Sequence, residues 1–505
     1  MNIHDRIVAR FPADPSRAFI ERPGGPALSF ADLEATTARY ANLLVALGVK
    51  PGDRVAVQAE KSVESLLIYL ATVRAGAVYL PLNPAYTLGE VRYFLGDARP
   101  ALFICRPQDL AQMQALAAEL SVPCVETLDA DGQGSLPTAA ASQPASFATV
   151  DRREDDLAAI LYTSGTTGRS KGAMLSHGNL ASNAQTMQDV WRFTQSDVLI
   201  HALPIFHTHG LFVATNTCLM AGASMIFLPS FDAGEIIRQL PRATVLMGVP
   251  TFYTRLLARP ELTAELVKNM RLFISGSAPL SAEVHREFSA RTGHAILERY
   301  GMTETNMNTS NPYDGERIPG SVGFALPDVA IRIANPETGE PTPGQIGVIE
   351  IKGPNVFQGY WQMPEKTREE FRDDGFFISG DLGYIDDRGY IYIVGRAKDL
   401  IISGGFNVYP AEVEAAIDEL PGVAECAVIG APHPDFGEGV VAVICPKPGA
   451  NLSADTITAA LADQLAKYKQ PKHIVIIPQL PRNTMGKIQK KALRETYAGL
   501  FTPAA

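Results

Sequence analysis

The stretch YTSGTTGRSKG, residues 162–172, sets glycines at 165, 168 and 172 among the hydroxyls of Thr163, Ser164, Thr166 and Thr167, with Lys171 near its end. Glycines let successive backbone N–H groups turn toward one ligand, the hydroxyls add donors, and the lysine adds charge. Such a nest suits a polyphosphate. The competing reading is a polar turn after a strand, because the apolar run LAAIL precedes it. The loop of ordinary nucleoside triphosphatases ends in Gly-Lys-Ser/Thr, whereas Gly172 follows Lys171 here, which disfavours a γ-phosphate hydrolase.

The elements that must position this loop alternate. Short apolar runs (RVAVQ, ALFIC, AAILY, SMIFL, ATVLMGV, RLFISG) are interleaved with helical patterns such as ESLLIYLATVRAG and SAEVHREFSARTG, as expected for βα units and parallel sheets. From about Asp328, VAIRIANPETGEPTPGQIGVIEIKGP and GYIDDRGYIYIVGR read as antiparallel strands joined by Gly, Pro and Asp turns. SLPTAAASQPASFATVD, 135–151, is expected as a surface loop. After VGRAKDLI the pattern becomes that of a compact α+β module of roughly 100 residues. The fold class is therefore α/β plus α+β: a large domain over 1–397 with a small β-barrel-like part, then a mobile small domain over 398–505.

With 505 residues and 46% hydrophobic content, the chain can fill more than one core. A net charge of −10 argues against a nucleic-acid surface, which would show as a basic stripe or patch. The five cysteines show no paired spacing, as expected of reduced thiols, and no apolar stretch reaches the length of a membrane span. A cytoplasmic location is expected.

The loop resembles the signature of the adenylate-forming superfamily, which includes acyl-CoA synthetases, peptide-synthetase adenylation domains and luciferases. RAGAVYLPLNP, ERYGMTET, GFFISGDLGYID, GRAKDLIISGGFNVYPAEVE and LPRNTMGKIQKKALRE follow in the family's order; one departure is Ser170, where proline is common. The resemblance implies two half-reactions: a carboxylate attacks the α-phosphate of ATP and releases pyrophosphate, then a thiol, here coenzyme A, captures the acyl-adenylate. It also implies roles. Thr163, Ser164, Gly165, Thr166, Thr167, Gly168 and Lys171 would surround the phosphates, and Glu304 with Thr163 would hold Mg2+. Gly276, Ser277, Ala278, Tyr300, Gly301, Met302 and Thr303 would line the nucleotide, with Asp381 on the ribose and Arg396 beside it. Lys487 would contact the carboxylate and α-phosphate, Lys398 would be the hinge, and Gly404, Gly405 and Phe406 would line the CoA tunnel. Lys487 also lies in a context similar to that in which acyl-CoA synthetases are acetylated, which suggests a lysine acetyltransferase as partner.

Arg299 bears on the choice of acid. Family members handling aromatic or fatty acids tend to carry a small residue there, and a guanidinium beside an apolar chain is costly unless paired. A second substrate carboxylate would supply the partner, and so would an internal acid such as Glu298 or Glu304. Together with LPIFHTHG and GVPTFYTRLL, the pattern is similar to the branch of the family that ligates malonate, or methylmalonate, to CoA. There His207, Thr208, Met302 and Arg299 would form the acyl pocket, with Arg255 a second candidate for the distal carboxylate. A zinc site at His201, His207 and His209 is disfavoured for want of a ligand pattern. The alternatives are a broad short-chain or aryl acyl-CoA synthetase and a nucleotide-binding sensor without catalysis.

Overall fold

The computed structural model describes residues 1–163, 170–462, 464–483 and 486–501. Two sheets organise the first part of the chain. In the six-stranded sheet the order is Val125–Thr127, Leu102–Cys105, Arg54–Val57, Val78–Pro81, Leu157–Thr163 and Lys171–Ser176, parallel until the last pair. The apolar runs are these strands, and their buried residues reflect sheets covered on both faces. ESLLIYLATVRAG becomes the helix Val63–Arg74, with Ser62 in a capping box, and SAEVHREFSARTG becomes Ala282–Thr292, capped by Ser281 and closed by left-handed Gly293.

The second sheet has thirteen strands along one path. Its parallel section runs through Ala18–Glu21, Ser224–Phe227, Val198–His201, Val245–Gly248, Leu272–Ser275 and Leu297–Met302. It then continues antiparallel through Asn306–Ser310, Ser321–Ala325, Ile391–Arg396, Phe377–Ile385, Gly347–Lys352 and Ala330–Ala334. The antiparallel texture thus begins about twenty residues before Asp328. The reversal lies at Met302–Asn306, where Asn306 takes a left-handed φ of 50°, and the strand that follows, NMNTS, is polar yet buried. Nor is the 135–151 segment all loop: Ser135–Ala140 is a short helix, anchored by buried Leu136 and Ala140.

A single 3₁₀ turn, Ala397–Asp399, joins this sheet to a five-stranded one built on Gly437–Pro446, which pairs with Val423–His433, Ile401–Ser403 and His473–Ile476. Pro410–Asp418 opens with proline at its first position, as helix starts favour. All five cysteines are free. Among the described residues, no helix is long and apolar enough to cross a membrane.

Candidate active site

Strands Leu157–Thr163 and Lys171–Ser176 form a hairpin whose last register pair is Thr163 with Lys171, so the two flanks of the glycine-rich loop stand side by side. Ser164, Gly165, Thr166, Thr167 and Gly168 lie outside the described residues. Lys171 is buried. Its Nζ sits 2.9 Å from Glu370 Oε1 and 4.0 Å from the centre of the Tyr360 ring. The Tyr360 hydroxyl donates to Glu304 Oε1 at 3.1 Å, and Thr163 Oγ1 reaches the same oxygen at 3.5 Å. Burial raises the Glu304 carboxyl above its ordinary value, opposed by the Tyr360 hydroxyl and the Lys171 charge. These groups line a cavity of about 190 Å³ together with Met302, Arg396 and Lys398. A carboxylate and a hydroxyl side by side are hard oxygen donors of the kind magnesium takes.

Adjoining this cavity, Tyr300 donates its hydroxyl to Asp381 Oδ2 at 2.5 Å, while Asp381 Oδ1 accepts from Arg396 Nε at 2.7 Å. Asp381 and Arg396 are register partners on adjacent strands, which fixes their pairing. Tyr300, Gly301 and Met302 end one parallel strand, with Thr303 in the turn beyond, and Gly276, Ser277 and Ala278 follow its neighbour Leu272–Ser275. The side-by-side strand ends carry the chemistry of both motifs to one edge, as open α/β sheets do.

Gly276 is there for a steric reason. A Cβ at that position would lie 2.3 Å from Arg299 Cζ, so the guanidinium packs against bare backbone. Arg299 is 3% exposed, its Nε and Nη2 lack hydrogen-bond partners, and among the described residues no carboxylate is within ion-pair reach of it. Burial pushes the guanidinium down to about 9, still protonated at neutral pH. The internal partners considered from sequence are engaged elsewhere. Glu298 Oε1 accepts from the Gly320 N–H at 3.0 Å and is raised by burial to about 8, and Glu304 holds Tyr360.

His207 and His209 also face this charge. The His209 N–H donates to His207 Nδ1 at 3.3 Å, which assigns the proton of the neutral His207 ring to Nε2. Burial, then Lys487 and Arg299, push His207 down to about 3. His209 is buried, with Nδ1 3.2 Å from Ser277 Oγ and Nε2 unpartnered; burial and Arg299 hold it neutral. Thr208 points its hydroxyl at Asn306 Oδ1, 2.8 Å away, which spends its proton inside the protein. His201 bonds the Gly210 carbonyl and Lys61 instead, and among the described residues no group of three metal-binding side chains converges. Arg255 lies exposed over the Phe231 ring rather than beside Arg299.

Lys487 enters from the last domain. Its backbone closes a tight turn in which Asn483 N–H donates to the Lys487 carbonyl and Lys487 N–H donates to Asn483 Oδ1, both at 2.9 Å. Gly486 takes a φ of 75° and passes next to Thr251 of the large domain. The side chain keeps solvent exposure, yet enough protein surrounds it that desolvation lowers its ammonium, helped by Arg396 and Arg299 and opposed by Asp381 and Glu304. The Lys487 ammonium is thus within electrostatic reach of Asp381, Arg396 and Glu304 as well as of Arg299. Lys398 is in the joining turn. The hairpin carrying Gly404, Gly405 and Phe406 packs within its own sheet instead: Gly404 N–H donates to the Phe436 carbonyl at 2.9 Å, and exposed Phe406 stacks on Tyr468.

Four participants were not assigned these places from sequence. Tyr360 and Glu370 belong to GYWQMPEKTREEF, whose only local signal is an acid at the end of a short helix. Ser277 was expected at the nucleotide and His209 was noted only as a neighbour of His207; the HTHG spacing was the available signal for the latter.

The chain is similar to known proteins over nearly its whole length. The AMP-binding enzyme model matches residues 5–361, and the model of the AMP-binding enzyme C-terminal domain matches 412–487. A feruloyl-CoA synthase of Amycolatopsis is 38% identical over 484 residues, covering 94% of this chain and 95% of its own. A malonate–CoA ligase of Arabidopsis thaliana is 34% identical over 488 residues, covering 89% and 79%. The solved structure of ATP-bound MatB from Rhodopseudomonas palustris is 62% identical, covers 99% of both chains and superposes with a TM-score of 0.97; its apo form gives 0.86. With one model matched over residues 5–361 and its C-terminal companion over 412–487, the protein belongs to the AMP-binding enzyme family of adenylate-forming ligases.

Proposed function

We propose that the protein joins malonate to coenzyme A through malonyl-adenylate, releasing pyrophosphate and then AMP. The observation that carries this reading is Arg299: a buried guanidinium with two unpartnered nitrogens and, among the described residues, no carboxylate within ion-pair reach. A charge in that state calls for an anionic ligand, and a planar carboxylate matches its fork. His209 Nε2 and the Ser277 hydroxyl border the same place, so the distal carboxylate meets Arg299 with these two beside it. The reacting carboxylate then faces His207 and Lys487. Kinship to MatB and to malonate–CoA ligases supports the same substrate.

In the first half-reaction a carboxylate oxygen forms a bond to the α-phosphorus and the α–β phosphoanhydride P–O bond breaks. Two anions converge, so the work of the protein is charge placement. Lys487 neutralises the oxygens between the two reactants, Lys171 meets the β- and γ-phosphates beside the loop 163–171, and Asp381 with Arg396 and Tyr300 holds the nucleoside. Glu304 and Thr163 would hold Mg2+, which supplies further neutralisation of phosphate charge. In the second half-reaction the CoA sulfur bonds to the acyl carbon and AMP leaves. For that step the domain 398–505 turns about Lys398, removing Lys487 and bringing Gly404, Gly405 and Phe406 to the cleft. Higher similarity to the ATP-bound than to the apo relative supports assigning the present arrangement to adenylation.

Two lesser readings complete this proposal. The protein acts in the cytoplasm, and acetylation of Lys487 switches off adenylation by removing its charge; mass spectrometry finding Lys487 unmodified after treatment with a competent acetyltransferase would count against the latter. The substrate itself is tested by pyrophosphate release with malonate, methylmalonate, succinate, acetate, butyrate and ferulate, with and without CoA. Turnover confined to the first two, with acyl-CoA formed only when CoA is present, is expected. Preference for a monocarboxylate would leave the ligase reaction standing and make Arg299 structural; ATP binding without turnover would make the protein a sensor.

A further inference from the structure

Glu370 is a carboxylate at the phosphate end of the cleft that the adenylation chemistry does not require. It follows the helix Pro364–Glu369, and its Oε1 lies 2.9 Å from Lys171 Nζ and 3.1 Å from Lys366 Nζ. Its Oε2 accepts from the Tyr360 hydroxyl at 3.4 Å, the same hydroxyl that reaches Glu304 Oε1 at 3.1 Å. One phenolic proton is thus offered to two carboxylates, and the ring beneath it carries the Lys171 ammonium. A polyphosphate approaching Lys171 finds its cation already paired, beside a fixed negative charge that repels it.

We infer that Glu370 competes with phosphate for Lys171 and so sets how readily pyrophosphate leaves. When the anhydride bond breaks, the product takes the bridging oxygen with its negative charge and loses its covalent tie to the nucleoside, so only the ion pairs at this end still hold it. Lys171 then has an alternative partner 2.9 Å away, and returning to it weakens the hold on the leaving anion. Lys366 tempers this competition, because it shares Oε1 and dilutes the pull of Glu370 on Lys171. Glu370 is a positioning residue in this account, acting through Lys171, and the inference rests on the proposed placement of the phosphates at Lys171.

The test is pyrophosphate inhibition of the full-length enzyme with ATP and malonate, with KM for ATP and kcat recorded separately. Glu370→Gln is nearly isosteric and removes only the charge. It should tighten pyrophosphate inhibition by about tenfold, the size of one charge-assisted contact, lower KM for ATP, and lower kcat as product release slows. Glu370→Asp should return part of the wild-type behaviour. Lys366→Ala should act in the opposite direction, loosening pyrophosphate a few-fold, and that effect should vanish when combined with Glu370→Gln, which a general field effect would not do. Pyrophosphate affinity within twofold of wild type in Glu370→Gln, or additive effects in the double variant, would overturn the inference. Lys171→Ala separates the two levels. If it weakens pyrophosphate while Glu370→Gln does nothing, only the role of Glu370 fails; if it has no effect, the phosphate placement fails and this inference with it.

Discussion

Lys171 and Arg299 are both buried cations on one cleft, yet Lys171 has a carboxylate at 2.9 Å while Arg299 has none among the described residues. The paired cation can wait for its ligand at little cost, because its charge is neutralised in the free protein. The unpaired one is desolvated without compensation, a state that folding tolerates only at a modest number of places and that binding of an anion relieves. One end of the cleft is therefore built to exchange partners and the other to acquire one. Lys487, contributed by the other domain, is within electrostatic reach of Glu304 and of Arg299.

Breaking the comparison at its centre should have the largest effect. Lys487→Ala should lower malonyl-adenylate formation by about 1,000-fold, in line with removal of a preorganised transition-state charge. Thioester formation from supplied malonyl-adenylate should fall by less than about tenfold; equal losses in both assays would remove Lys487 from the adenylation step. Next, Arg299→Met should cut kcat/KM for malonate about 100-fold or more, the value of a buried bidentate contact, while leaving acetate turnover little changed.

Thermal melts of the ligand-free protein sharpen the contrast, since the two ends should respond with opposite sign. Arg299→Met removes an uncompensated charge and should stabilise by ~1–3 kcal/mol. Lys171→Met takes from Glu370 the nearer of its two cations, leaving Lys366 and the Tyr360 hydroxyl, and should destabilise by ~1 kcal/mol. Matching signs would show that the difference in pairing has no energetic meaning. The melts carry a pH dependence as well. His4, His177, His201, His207, His209, His285 and His294 are all held below the ordinary histidine value, chiefly by burial. Their folded forms stay neutral where the unfolded chain takes up protons. The stability they contribute is thus complete above about pH 6.5 and is lost as pH falls toward their lowered values. Melting temperature should fall steadily from pH 7 to 5, and a flat profile would contradict this.

The βα alternation and the α+β ending were legible because each is local: a helix cap or an apolar strand declares itself within ten residues. The antiparallel onset at Asn306 was not, because NMNTS is polar and its burial depends on the sheets around it. The helix Ser135–Ala140 hid for a similar reason, as one buried leucine anchors a segment of small residues. Arg299 drew notice from its place before YGMTE, but whether it was paired could only be decided by where Glu298 and Glu304 turn. The Lys171–Glu370 pair spans 199 residues of sequence and had no local trace.

The central claim is that Arg299 is the receptor for a second carboxylate. The most direct measurement is the ratio of kcat/KM for malonate to that for butyrate, in the wild type and in Arg299→Met. The account predicts a ratio of about 100 or more in the wild type that collapses toward unity in the variant, mainly through loss of malonate turnover. A wild-type ratio near unity, or a high ratio that survives the substitution, would contradict it.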